Sequence, residues 1–278
     1  MNTVKPEDIL LKIHNLPSLP TVVIELLASM DQDDVNIDAL SKKITRDQAL
    51  TAKTLRLANS SFYGMANQVT SIHEAIAILG FRTVRSVATT AALIGAFAGH
   101  GSVNANPFWR HAMAAAICAR ELAPHLNLNP EHAYTVGLLH DIGRLVLVTQ
   151  FQPQYEATML YRTQHDCHLL DAERAVMGVD HAIAGHALTR HWKFPEAVQQ
   201  AVACHHAPLT QGLPALSLAI LAANAIAHAL DMSQDRDDLV PPVSAGLWKR
   251  LELDEKALHK VFKNAEKQFE GASLLLNS

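Results

Sequence analysis

The residues with most chemistry to offer are histidines. The chain has 16 of them in 278 residues, and imidazole both titrates near neutrality and ligates metals. The sharpest local signal is Gly137-Leu138-Leu139-His140-Asp141-Ile142-Gly143-Arg144. An adjacent His140 and Asp141 on a helix offer one nitrogen and one carboxylate to a single cation. His111 lies upstream in FWRHAMAAA; Asp180-His181, the doublet His205-His206 and Asn224 follow downstream. From spacing alone, His140-Asp141 reads first as a buried His hydrogen-bonded to its neighbour's carboxylate or to the backbone. His111 reads as a core histidine and His181 as a first-turn residue behind the N-cap Asp180. Adjacent residues on a regular helix differ by about 100°, so only one of His205 and His206 is expected to ligate while the other orients or meets substrate. Arg144 is either a phosphate anchor or a solvated helix residue. His165, His168, His186 and His191 are expected outside any shared pocket, the first two because their segment is polar and turn-like.

Helical punctuation supplies the elements that must position these groups. Pro6 with Glu7 and Asp8, the N-cap Asn36, and Ser71-Ile72-His73-Glu74 before Gly80 mark helix starts and a stop. Helical spacing extends over 82–97, 108–122, 130–140, 155–164, 169–177, 180–192, 195–205 and 254–275, whereas strand-like alternation is almost absent. The expected fold is all-α: two packed helical bundles, residues 1–99 and residues 107–278, joined by HGSVNANP. The apolar stretch 213–230 carries Pro214, Ser217, Asn224 and His228, so it reads as a buried helix rather than a membrane span.

Composition narrows the functions. Charged residues make up 18% of the chain and the net charge is −4, so general electrostatic binding of nucleic acid or an anionic membrane is not expected. Aromatic residues are 5%, too few for an RNA-stacking platform. Cys118, Cys167 and Cys204 are scattered and odd in number, which disfavours a disulfide framework and points to a reducing compartment. The acidic N-terminal stretch does not read as a signal peptide, so the expected location is the cytoplasm.

The order His111, His140-Asp141, His181, His205-His206 resembles the HD superfamily of metal-dependent phosphohydrolases. In that family an early His, the His-Asp pair and a late Asp hold a divalent metal, and in an extended branch further histidines hold a second. By position, His111 matches the early His, and His181, His205 and His206 the extra ligands. Asn224 stands where the late Asp is expected, and a neutral amide is the poorer ligand. The Gly-Tyr-Pro motif of the branch that degrades cyclic dinucleotides is absent. The first half carries Leu16-Pro17-Ser18-Leu19-Pro20, Leu55-Arg56-Leu57-Ala58-Asn59-Ser60, Phe62-Tyr63-Gly64 and Ala75-Ile76 leading to Leu79-Gly80. From about Leu16 to about Leu230 the chain resembles the HDOD domain, an output domain of bacterial signalling proteins. LANSSFYG itself reads as a ligand loop or as a helix-terminating turn.

The resemblance implies a signalling or regulatory module with a partly retained metal site for Mn, Fe, Zn or Mg. It would bind a signalling protein partner or a small phosphorylated ligand. The alternatives are a metal-dependent phosphohydrolase acting on a phosphate ester or nucleotide, and a scaffold with a vestigial pocket.

Overall fold

The computed structural model describes residues 3–14, 21–29, 36–59, 68–97, 105–209, 212–235, 238–242 and 245–273. Among them every regular element is helical, as the spacing predicts. The first half contributes α1 (Pro6–Ile13), α2 (Thr21–Ala28), α3 (Ile37–Arg46), α4 (Gln48–Ala58), α5 (Ile72–Leu79) and α6 (Phe81–Phe97). The second contributes α7 (Ala105–Leu122), α8 (Pro130–Leu139), α9 (Ile142–Gln150), α10 (Gln152–His165), α11 (Leu169–Met177), α12 (His181–His191), α13 (Glu196–Cys204), α14 (Ala215–Ala229), α15 (Ala245–Leu251) and α16 (Glu255–Ser273).

Local chemistry sets the helix ends. Asn36 Oδ1 accepts from the Ala39 N–H at 2.9 Å, Asp47 caps α4 through Leu50, and Ser71 Oγ accepts from Glu74 N–H at 3.1 Å. The reciprocal half of the expected capping box shifts by one residue: the Glu74 carboxylate takes the Thr70 N–H and hydroxyl. Gly80 ends α5 at φ +82°, a conformation costly for residues with a Cβ. Asn59 closes α4 and clamps Val69 with both ends of its amide. Residues 60–67, which hold the rest of LANSSFYG, lie outside the described residues, as does the 16–20 motif.

Helix starts within the HGSVNANP segment, sooner than its composition suggests. Residues 98–104 are not among those described, and α7 already begins at Ala105, with Pro107 in its first turn, where a missing N–H costs nothing. Helices α9 and α15 were not anticipated. Although α1 comes first in the chain, it packs against α9 and α12. Val4 N–H donates to Met177 O at 2.7 Å, and Lys12 Nζ reaches Gln150 O. Ser86 on α6 contacts Glu131 O and Thr135, tying α6 to α8.

The centre of the second half is α7, packed against α8, α14 and α16. Its Ala112, Ala114, Ala115, Ala116 and Ala119 are fully buried. Small side chains let neighbouring helices approach, while Met113, Ile117 and Leu122 fill the space between, each stabilising by about 1.5–3 kcal/mol through burial. Two glycines make the approach closer still. A Cβ on Gly137 would lie 2.7 Å from the Ala116 Cα, and one on Gly143 would run into His181 O and the Gly185 backbone. The first contact draws α8 onto α7, and the second draws the start of α9 onto α12. Helix α14 is buried almost all round, and none of the described helices is long and apolar enough to cross a membrane.

Candidate metal centre

Neither histidine motif lies inside a regular helix. His140 is the C-cap of α8 and Asp141 the N-cap of α9. His205 is the C-cap of α13, and His206 follows it. The expectation that one ring of the doublet must point away assumed an unbroken helix. At the end of α13 the backbone turns, and both rings reach His181: its Nε2 lies 3.2 Å from His205 Nε2 and 2.9 Å from His206 Nε2.

The hub is Asp141, buried with its carboxylate among four imidazoles. Asp141 Oδ1 lies 3.4 Å from His140 Nε2 and 3.3 Å from both His181 Nε2 and His205 Nε2. Its Oδ2 faces His111 Nε2 at 3.8 Å and Arg144 Nη1 at 3.3 Å. His111 Nε2 lies 3.2 Å from His140 Nε2 and 3.0 Å from Asn224 Oδ1. The structure thus brings His111, His140, Asp141, His181, His205, His206 and Asn224 together. Two groups that share Asp141 could each hold a metal ion: His111, His140 and Asp141; and Asp141, His181, His205 and His206.

The far side of each ring explains why these nitrogens face one another. His140 Nδ1–H donates to Gly137 O at 2.6 Å and His205 Nδ1–H to Val202 O at 2.7 Å. Glu173 Oε2 accepts both the Nδ1–H of His181 at 2.6 Å and its backbone N–H at 2.9 Å. Each bond fixes the proton on Nδ1 and leaves a lone pair on Nε2 of the neutral ring. Three lone pairs and a carboxylate oxygen then converge, acceptor against acceptor, in a buried space. A divalent cation satisfies all of them. Ligand atoms about 2.0–2.2 Å from one ion sit roughly 3 Å apart, the spacing these nitrogens and Asp141 have. The residues present therefore fit a metal.

The electrostatics agree. Burial favours the neutral ring and lowers the His140 pKa to about 4 against the opposing pull of Asp141. Burial and neighbouring imidazoles likewise lower His111 and His206. Burial alone would raise Asp141, yet His140, His181 and Arg144 hold it well below the usual carboxylate range. Burial opposes charge on His181 too, but Glu173 and Asp141 outweigh it and push its pKa up to about 9. Without metal, one shared proton on His181 thus relieves part of the conflict.

The centre opens into a cavity of about 710 Å³. Arg144 lines it with its guanidinium committed to Asp141 and packed over the Phe108 ring. His168 also lines it, contrary to the expectation from its polar segment: as N-cap of α11 it sits where that helix starts at the cavity wall. His165 instead stacks on Tyr161, and His191 packs edge-on against His14. Sequence reasoning missed three groups: Glu173, His228 and Asp238. The signal for Glu173 was an acidic residue four before Met177 on the buried face of α11. The signal for His228 was its position one turn after Asn224 on α14.

Comparison with known proteins places this architecture. The chain resembles an HDOD domain protein from Geobacter sulfurreducens at 24% identity, with a TM-score of 0.76 over 98% of this chain and 94% of that one. It also resembles a candidate phosphohydrolase from Shewanella amazonensis SB2B at 27% identity, with a TM-score of 0.76 over 96% of this chain and 97% of that one. An uncharacterized protein of Treponema pallidum (strain Nichols) is 25% identical over 199 residues, 70% of this chain and 38% of that protein. The chain spans well under half the length of the curated relatives it matches. The model of the HDOD domain matches residues 16–208, more than half of the sequence, and the chain belongs to the HDOD family.

Proposed function

We propose that this chain is an HDOD regulatory module whose cavity binds divalent metal together with a small phosphorylated ligand. The observation that carries the reading is the convergence of the His140, His181 and His205 Nε2 atoms on Asp141, each ring locked from behind. In it His111, His140, Asp141, His181, His205 and His206 are the metal ligands, and Asn224 contributes a neutral oxygen. The nitrogen-rich donor set favours zinc or iron over magnesium. A bound divalent ion would supply charge for phosphate oxygens and polarise them. His168 and Arg144 stand on the cavity wall, where Arg144 holds Asp141 ionised and orients it. Ligand occupancy then passes to a protein partner through the helices around α7, in the reducing compartment that the cysteine usage suggests.

The low charge of the ligand set favours regulation over turnover. Asn224 brings no negative charge, so the ion is held more weakly than by a carboxylate. The test is calorimetric titration with manganese and zinc of the parent and Asn224→Asp, followed by a panel of phosphate esters and nucleotides. Tighter metal binding by Asn224→Asp, with ligand binding but no turnover in the parent, is the expected result. Equal metal affinity would remove position 224 from the ion's reach.

The second reading is metal-dependent phosphohydrolysis. The open cavity beside the ligand set favours it, as does the likeness to the Shewanella amazonensis candidate phosphohydrolase. Metal-dependent turnover by the unmodified chain would establish it in place of the first.

A further inference from the structure

A third group of donors in the same cavity joins His111 to two residues that the family order does not point to, His228 and Asp238. His228 Nδ1 lies 2.8 Å from Asp238 Oδ1. The His228 ring stands 4.3 Å from the His111 ring, tilted by 35°. One ligand atom from each of His111, His228 and Asp238 lies within 4.8 Å of the others, and all three residues line the cavity. Ser233 Oγ donates to Asp238 Oδ2 at 2.9 Å, which orients the carboxylate with Oδ1 toward His228.

The second observation is an unsatisfied atom. His111 is 2% exposed, and its Nδ1 is buried without a hydrogen-bond partner among the described residues. A buried polar nitrogen left unpaired is costly, and a bound ion is one way to complete it. The unused nitrogen belongs to the ring that stands between the two groups. His111 Nε2 reaches Asn224 and His140, while the His111 ring packs against His228. His228 follows Asn224 by one helical turn on the same face of α14. Where the chain has a neutral amide at 224, it places an imidazole one turn on and a carboxylate beside that imidazole.

We propose that His111, His228 and Asp238 form a further divalent-cation position on the α14 side of the cavity, in which Asp238 supplies the carboxylate that position 224 lacks. The position rests on the metal-binding reading above only through the shared His111. It takes a borderline cation such as zinc or manganese, with two imidazoles and one carboxylate as protein ligands and cavity solvent completing the shell.

The test counts metal directly. The full chain is dialysed to equilibrium against manganese or zinc alone and analysed for metal per chain across a concentration series. The parent is compared with Asp238→Asn, His228→Gln, Asp141→Asn and the double variant Asn224→Asp/Asp238→Asn, each checked for the parent's helical circular dichroism. Asp238→Asn and His228→Gln are expected to weaken one class of ion at least tenfold, leaving the class held by His181, His205 and His206 unchanged. The double variant is expected to regain the lost class, because the carboxylate returns from the neighbouring position. If Asp238→Asn and His228→Gln bind metal as the parent does while Asp141→Asn loses it, this position is refuted and the Asp141-centred reading stands. If the parent binds no metal, both fail. If Asp238→Asn loses one class but the double variant does not regain it, the charge-replacement role of Asp238 is refuted.

Discussion

Helices α3 to α5 and the histidine cluster of the second half use polar side chains in opposite ways. In α3 to α5, Asn36, Asp47 and Ser71 each accept a hydrogen bond from the backbone N–H three residues on. Asn59 spends both amide atoms on Val69. Each group is satisfied within a short stretch, and its whole effect is local. In the second half, Asp141, His140, His181 and His205 are buried, and their active atoms face one another across helices far apart in sequence. Backbone carbonyls and Glu173 satisfy only the far side of each ring. Polar groups satisfied by their own backbone build the fold; polar groups that face each other unsatisfied mark where something else binds.

The largest way to break this contrast is steric. Gly143→Ala would push a Cβ into His181 O and the Gly185 backbone. We expect a loss of about 3 kcal/mol or more, and metal binding lost with it, because the α9–α12 contact that seats Asp141 against His181 must open. Chemical denaturation and metal titration of the variant check both.

Acid and alkali test the buried imidazoles of the metal-free protein. His140 has a folded pKa of about 4 against roughly 6.5 unfolded, so the unfolded state takes up its proton first. Its contribution is fully present above pH 6.5 and falls by about 3 kcal/mol as pH drops to 4. His181 has the opposite sign. With a folded pKa of about 9, its contribution is present below pH 6.5 and fades as pH rises to 9. The metal-free chain should therefore be most stable near pH 6.5. Metal-loaded protein should instead gain on the alkaline side, since its ligands must be deprotonated. Thermal melts between pH 4 and 9, with and without zinc, show whether the two arms separate.

Glu173→Gln removes the charge behind His181 but keeps an acceptor in place. Metal affinity should drop 10- to 100-fold with the fold intact, as for other groups that orient a metal-binding histidine. Unchanged affinity would make Glu173 a purely structural partner. The smallest effect belongs to the first half: Asn36→Ala should cost about 1 kcal/mol of stability and leave metal affinity alone. A metal effect from that cap would erase the contrast between the two regions.

How far the sequence could be read follows the same division. Caps such as Asn36, Ser71 and Asp180 were legible because their chemistry acts over three residues. The histidines that converge on Asp141 were legible as a set from their order, which resembles a known family. Glu173, His228 and Asp238 were not: spacing along α11 and α14 marks the buried face for the first two, but what each meets there lies across a tertiary contact. Helix α8 ends where its spacing predicts, but the immediate restart as α9 went unseen for a related reason. No Gly or Pro ends α8, and Gly143 shows its purpose only once α12 is packed against it. His168 was excluded on the polarity of its segment, yet the start of α11 places it on the cavity wall.

The central claim is that Asp141 and its imidazoles hold divalent metal, and elemental analysis tests it most directly. The full chain and Asp141→Asn would be purified in parallel, stripped, reloaded with zinc or manganese and measured for bound metal per chain. We predict at least one ion per chain in the parent, and in Asp141→Asn loss of the ions that depend on the shared carboxylate. Equal metal content in the two proteins, or none in the parent, would contradict the account.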